Sequence, residues 1–389
     1  MSSAGVGNGG SSAAKIDRTA PILIVGGGIG GMASAILLRR HGFAVELVEI
    51  DPHWGVYGAG ISITGPTFRA FRDLGILSEV CEAGYGSTGG LKLHNPAGIK
   101  VAEIPSPSIA PGVPSGGGIM RPVLHNILRR HTEASGAKIR LGEEVARLDE
   151  DDDGVQVTFT GGGNARYQMV IGADGTFSKL RATLFPGAPA PRYTGQHCWR
   201  VVAARPAELT QPYFFMGGQV TAGLMPCSQD QMYMWLLEAA PEKIRLADDA
   251  LANRLRQIMA PFGGLLGEIR DGLNADTPII VRPLEAILLP RPWYKGRVIL
   301  IGDAVHATTP HLASGAGIAV EDALILSEML NDGDSIADAF EGFTERRWER
   351  CKMVVETSVR IGALQQQNAP PDELKMLISS VEAELRNEI

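Results

Sequence analysis

Short apolar runs recur along the chain, each closed by glycine or an acid. Pro21-Ile22-Leu23-Ile24-Val25, Met169-Val170-Ile171 and Val298-Ile299-Leu300-Ile301 are continuous, and Phe43 to Val48 is nearly so. Such runs fit strands of a parallel sheet buried on both faces. Segments of helical period lie between them. Met32 to Arg40 is one. Thr67 to Leu77 places Phe68, Phe71, Leu74 and Leu77 on one side, and Arg121 to His131 does the same with Leu124, Ile127 and Leu128. A further helix runs from Ile318 to about Leu330.

From Phe185 to Arg282 the texture changes. Alternating, aromatic-rich stretches at Cys198–Ala204, Tyr213–Met216, Val220–Met225, Met232–Leu237 and Ile279–Val281 predict an antiparallel sheet, with helix near Ala247–Met259. Such a sheet is suited to wall an apolar pocket. Helix resumes at Ile336, Pro370-Pro371 breaks it, and an amphipathic helix closes the chain. The expected organisation is an α/β domain in two parts, 20–184 and 283–335, interrupted by the sheet domain 185–282. C-terminal helices at 336–389 follow it, and a disordered tail at 1–19 precedes it.

Composition narrows the function. With 44% hydrophobic and 20% charged residues over 389 positions, this is an ordinary globular chain. A net charge of −7 argues against nucleic-acid or anionic-membrane partners. No run approaches the ~18 apolar residues that span a bilayer. The first 19 residues are rich in Gly, Ser and Ala and lack the apolar core of a signal peptide. Cys81, Cys198, Cys227 and Cys351 form no CxxC pair, which speaks against a disulfide framework or zinc and for a cytoplasmic setting. His306 and His311 share a loop without a partnering carboxylate motif, so no metal is expected.

The chemistry starts at Gly26-Gly27-Gly28-Ile29-Gly30-Gly31, between the first strand and the first helix. Gly26 permits a tight turn, Gly28 lets backbone approach a pyrophosphate, and Gly31 allows close helix–strand packing. Glu49 ends the next strand about 20 residues on, where a ribose-binding acid belongs. Strand, glycines, helix, strand and acid together indicate an ADP-containing cofactor. The acid favours FAD or NAD over NADP. Gly302-Asp303 ends the fourth apolar run, and a Pro-, Thr- and His-rich loop leads to Gly315-Ala316-Gly317 at a helix start. This sets a carboxylate beside free backbone N–H groups. Tyr57 to Ile63 carries small residues, Ala59 and Gly60 among them, that would let a loop lie against a flat ring. Arg121 opens a helix, where the dipole does not favour a cation, and a place beside cofactor phosphate accounts for it.

GGGIGG at 26–31, GADGTFSKLR at 172–181 and GDAVHATTP at 302–310 stand in an order that resembles the single-component flavoprotein aromatic hydroxylases, the group of para-hydroxybenzoate and salicylate hydroxylases. The resemblance covers most of residues 20–360. It implies a Rossmann-type FAD-binding domain interleaved with an antiparallel-sheet substrate domain. FAD would be the cofactor and NADH or NADPH the co-substrate. It implies that Asp303 bonds cofactor hydroxyls and that the loop from Pro310 to Gly317 follows the flavin ring. Asp174 would serve both FAD and NAD(P)H, and Arg121 matches the family's flavin-phosphate arginine. The family chemistry hydroxylates a phenolic or heteroaromatic substrate with O2 through a C4a-hydroperoxyflavin. A halogenase or dehydrogenase is the alternative reaction, although no W-x-W-x-I-P stretch supports halogenation. Two departures stand out: Ala313-Ser314-Gly315 where the family often has Gly-Gln-Gly, and no arginine in Asp51-Pro52-His53-Trp54. In the sheet, His197 is a candidate base or substrate contact and Arg200 a candidate anchor for an acidic substrate. Tyr213, like Tyr233, is a polar candidate on the pocket wall. A monomer or homodimer is expected.

Overall fold

The computed structural model describes residues 16–216, 220–243 and 245–389. Residues 1–15 of the expected tail lie outside these. Residues 16–19 are anchored: Asp17 N–H donates to Gln168 Oε1 at 3.1 Å, and Arg18 reaches Asn331 Oδ1 at 2.9 Å. A side-chain partner in the adjoining strand region overrides the polar composition of this short stretch.

The four apolar runs form the centre of a six-stranded sheet. Its order is Tyr294–Lys295, Val298–Leu300, Met169–Gly172, Ile22–Val25, Val45–Glu49 and Lys138–Leu141. All pairs are parallel except the edge pair Tyr294–Lys295 with Val298–Leu300. Ile22, Leu23, Ile24 and Met169 through Ile171 are fully buried, since helices cover both faces. The register is what assembles the site. Val25 stands opposite Gly172 and Val48, and Gly172 opposite Leu300. The loops beginning at Gly26, Ala173 and Ile301 therefore leave the same sheet edge side by side. Segments far apart in sequence meet there because strand C-termini in a parallel sheet share one rim.

The second sheet has seven strands, in the order Ile279–Ala286, Arg192–Ala204, Gln231–Ala239, Thr221–Pro226, Tyr213–Phe215, Leu91–His94 and Lys100–Ile104. It recruits its last two strands from 91–104, a region the sequence pattern places in the α/β part. The period of two divides its residues. Trp199, Val201, Met232, Met234, Leu236, Ala222 and Leu224 pack with Leu251, Leu255 and Leu266 of two covering helices. Cys198, Arg200, Tyr233, Trp235, Leu237, Phe214 and Met225 face the other way, into a cavity between this sheet and the first.

The helix Ile336–Gln366 starts at Ser335, whose hydroxyl accepts the Asp338 N–H at 3.1 Å, a normal N-cap. With Pro371–Leu385 it forms a third core: Val354, Ile361, Leu364, Val381 and Leu385 close over Leu312 and Ile318. Among the described residues no helix is long and apolar enough to cross a membrane.

Candidate active site

A cavity of about 1750 Å³ runs between the two sheets. A single small-ligand site takes roughly 300–1,000 Å³, so this space has room for more than one bound group.

Its floor is the glycine loop. Gly26 has φ +107°, and an added Cβ would lie 2.4 Å from the Ala173 carbonyl oxygen; one on Gly31 would lie 1.9 Å from the Gly26 oxygen. These two glycines let helix, loop and neighbouring strand touch. Gly28 differs: nothing stands within 4 Å of its missing Cβ, and it lines the cavity together with Gly30. Gly28 is also the N-cap of helix Ile29–Arg40, and no side chain caps that terminus. Glu49 sits behind the loop and does not line the cavity. Its Oε2 accepts the Gly27 N–H at 2.6 Å and its Oε1 the Asp51 N–H at 2.9 Å. The Trp54 indole donates to the Gly27 carbonyl at 2.9 Å. The acid thus shapes the loop through one hydrogen bond on each oxygen, and each oxygen keeps a second lone pair.

Gly302 has φ +59°, and its N–H donates to Asp322 Oδ2 at 2.8 Å. Asp303 then projects into the cavity, where Thr176 Oγ1 approaches at 3.5 Å. Its depth in the molecule raises the carboxyl above the usual range, against the pull of His306 and Arg121. Asp174 accepts the Leu180 N–H through Oδ2, while its buried Oδ1 has no partner among the described residues. Gly175 to Phe177, beside it, line the cavity. Pro310, Gly315 and Ala316 also line it. Gly317 instead packs against Thr67, whose Oγ1 is 2.4 Å from the place of a Cβ. No side chain caps the helix that Gly315 opens. Ala313 takes the left-handed conformation at φ +47°, a geometry the family's glycine would meet without strain.

Arg121 is positioned by its own N–H, which donates to the carbonyl of buried Ala59 at 3.1 Å. Gly60, next in the chain, lies against Tyr233 and Cys227 with no room for a side chain. The Arg121 guanidinium makes no hydrogen bond among the described residues. Burial pushes it below the usual arginine range, and nearby Arg200 pushes the same way, against the pull of Tyr233 and Asp303. Arg121 and Arg200 therefore both face the cavity, and neither has a bonded anion among the described residues.

His197 and Tyr213 do not belong to this site. Both lie on the opposite face of the sheet from Arg200, a consequence of strand alternation. His197 is fully buried, with Nδ1 2.9 Å from the Tyr193 hydroxyl. Tyr213 donates to the Glu208 carbonyl and packs its ring 4.5 Å from that of His94, tilted by 33°. The expected base and one expected wall residue are structural. The polar wall group is Tyr233, 2.6 Å from Ser62 Oγ, its phenol pushed up to about 12 by burial.

Behind Gly302 lies a buried ionic cluster. Asp322 accepts from Arg347 Nε at 2.8 Å and faces His306 Nε2 at 2.6 Å, and Glu321 accepts from both Arg347 and Arg350. His306, Asp322 and Cys351 bring ligand-type atoms within 4.8 Å of one another. The Arg347 guanidinium already balances the charge there.

An uncapped helix terminus, an unbonded guanidinium, and an acid open to the cavity suit the pyrophosphate, hydroxyls and ring edge of FAD. Residues 19–356 match the FAD binding domain family. The chain belongs to that family. It is 32% identical over 356 residues to the aurachin C monooxygenase/isomerase of Stigmatella aurantiaca, covering 89% of each chain. With the 6-hydroxynicotinate 3-monooxygenase of Bordetella bronchiseptica it shares 29% over 351 residues, 87% of this chain and 90% of the relative. The crystal structure of a single-residue variant of Klebsiella pneumoniae HpxO complexed with FAD superposes with a TM-score of 0.79 at 25% identity, covering 95% of both chains. The protein is thus a flavoprotein monooxygenase of the aromatic hydroxylase group, and FAD is its cofactor.

In this monooxygenase the sequence reading missed the Asp322 cluster and the wall residues Ser62 and Cys198. Glu321-Asp322 inside an otherwise apolar helix was the available signal, because buried acids require partners. Cys198 offered none, since a lone apolar cysteine in a strand reads as core.

Proposed function

We propose that the enzyme hydroxylates an acidic phenolic or heteroaromatic compound, using NADH or NADPH and O2. Arg200 carries this reading: a guanidinium without a bonded anion, set among Cys198, Tyr233, Trp235 and Leu237 on the apolar wall. An apolar wall holds an aromatic ring and one arginine fixes its carboxylate. The name of the 6-hydroxynicotinate relative, which describes a hydroxylated pyridine acid, agrees with that chemistry. FAD would lie with its pyrophosphate against Gly28 and Arg121, its hydroxyls at Asp303 and its ring along Pro310 to Ala316. Bound there, it would accept two electrons from NAD(P)H and use them to split O2, one oxygen atom going to the substrate and the other to water. The chain's own part is to exclude water with the apolar sheet face, to orient the ring by its anion, and to hold the reacting carbon near the loop.

The test is NAD(P)H consumption by the FAD-loaded enzyme in air and under argon. The panel comprises 6-hydroxynicotinate, salicylate, 4-hydroxybenzoate and phenol, with products identified by mass. A product heavier by one oxygen, formed only in air, is expected; a product formed equally under argon would replace the monooxygenase chemistry with a dehydrogenase. Arg200→Gln should raise KM for the carboxylates by about 10- to 100-fold and leave that for phenol within about threefold, since a charge-assisted bond is lost only for the acids. Arg121→Leu should weaken FAD binding about tenfold or more by equilibrium fluorescence, with ADP affected alike and riboflavin spared. Equal weakening of riboflavin would move Arg121 away from the phosphates.

A further inference from the structure

Arg200 stands at one end of a row that crosses the seven-stranded sheet. It is paired with Trp235, Trp235 with Gly223, Gly223 with Phe214, and Phe214 with Leu93. Directly paired residues share a face of the sheet. Arg200, Trp235, Phe214 and Leu93 all line the cavity accordingly. Lys92, the neighbour of Leu93, turns to the opposite face, where its Nζ lies 5.3 Å from the Tyr213 ring. Four strand steps carry the row about 19 Å from Arg200 to Leu93.

Past Arg200 this row carries no charge. A Cβ on Gly223 would lie 2.5 Å from Cε2 of Trp235, so the missing side chain lets the indole lie across that strand. The indole then meets Phe214 edge-on, with ring centres 5.2 Å apart at 85°. Leu91 and Met216 extend the same lining beside Leu93 and Phe214. These four side chains and Trp235 are only half-buried, which leaves apolar surface open along the cavity. Ile61, Ile63 and Ile109 line the same cavity from segments outside this sheet. A one-ring acid seated at Arg200 covers roughly two strands of the row, about 10 Å, and leaves the outer half bare.

We propose that the row from Trp235 to Leu93 is a groove for a hydrophobic substituent, so that the substrate is an aromatic acid carrying an alkyl chain. Arg200 fixes the anion at one end, and Phe214, Met216, Leu91 and Leu93 take the chain at the other. This rests on the substrate reading above and deepens it.

The probes are salicylate and its 4-ethyl, 4-butyl and 4-hexyl derivatives, whose chains point away from the carboxylate. Dissociation constants are read from the flavin absorbance change of the FAD-loaded enzyme. Each added methylene should tighten binding about three- to fourfold, which is about 100-fold from ethyl to hexyl. Leu93→Lys sets a charge in the path of the chain. It should cut the ethyl-to-hexyl gain to about threefold or less while salicylate binding stays within about twofold. Leu91→Lys, two residues away on the same face, should do the same, and it serves alone if the first variant fails to fold. A gain that survives both substitutions puts the chain elsewhere and overturns the groove. So does a wild-type gain under about threefold with salicylate bound, since burial of four methylenes gives far more. If neither salicylate nor any derivative binds, the acidic-aromatic reading itself falls and the groove with it.

Discussion

Asp322→Asn is expected to destabilise the enzyme by about 3–5 kcal/mol, the usual cost of removing one member of a buried ion cluster. Asp322 and Arg347 are at most 1% exposed and His306 is fully buried, so the cations left behind have no water to turn to. The same carboxylate accepts the Gly302 N–H, which fixes the left-handed turn that aims Asp303. FAD occupancy should therefore fall with stability. Burial alone would lower His306, but Asp322 carries it well above its ordinary 6.5. Its contribution is thus full below that value and is lost as pH rises through the raised folded-state value. Burial alone would raise Asp322, but His306 and Arg347 hold it near about 2, so its contribution is present above 3.8 and is lost as pH falls toward 2. Melting temperatures of wild type and variant should differ by at least about 5 °C at pH 7, and the gap should narrow at alkaline pH, where His306 gives up its proton. It should not close, because Arg347 still pairs with Asp322. A gap under about 2 °C at pH 7 would show that the cluster stabilises neither turn nor fold.

The sequence carried different parts of this architecture with unequal clarity. Strands such as Met169–Gly172 and the glycine loop after Val25 are local patterns, and their lengths and spacing sufficed to place them. Their register also follows from pattern, because each apolar run ends where its cofactor-facing loop begins. Arg200 and His197 are a harder case. They lie three residues apart on one strand, so alternation puts them on opposite faces. Which face meets the cavity depends on where the helices Asp248–Ile258 and Gly264–Gly272 pack, and no residue of Arg192–Ala204 reports that. A bulge between Tyr193 and His197 further resets the pairing with Ile279–Ala286. His306, Asp322 and Arg347 come from three elements and share no period. Only the contrast between two adjacent acids and their apolar helix pointed to a partner, and it did not name one.

The glycines of the first loop separate two roles that the fingerprint merges. Gly26→Ala should cost about 2–6 kcal/mol, the sum of a backbone clash and a left-handed alanine. Its Cβ would meet the Ala173 carbonyl carbon at 2.7 Å as well as the oxygen at 2.4 Å. Backbone on the adjoining strand cannot retreat without breaking the Ala173 N–H bond to Val25. The variant should melt well below wild type even in excess FAD. Gly28→Ala meets no atom and keeps an extended conformation that alanine adopts freely, φ −78° and ψ −174°. Its apo form should melt within about 2 °C of wild type, since surface changes without a clash rarely cost more. Yet its methyl group points into the space assigned to the pyrophosphate, so FAD affinity should fall about 10- to 100-fold. If Gly28→Ala binds FAD as tightly as wild type, the phosphates do not approach this turn and the cofactor placement must be redrawn. If Gly26→Ala keeps its melting temperature and loses only FAD, the turn is held open for the ligand and not by the sheet.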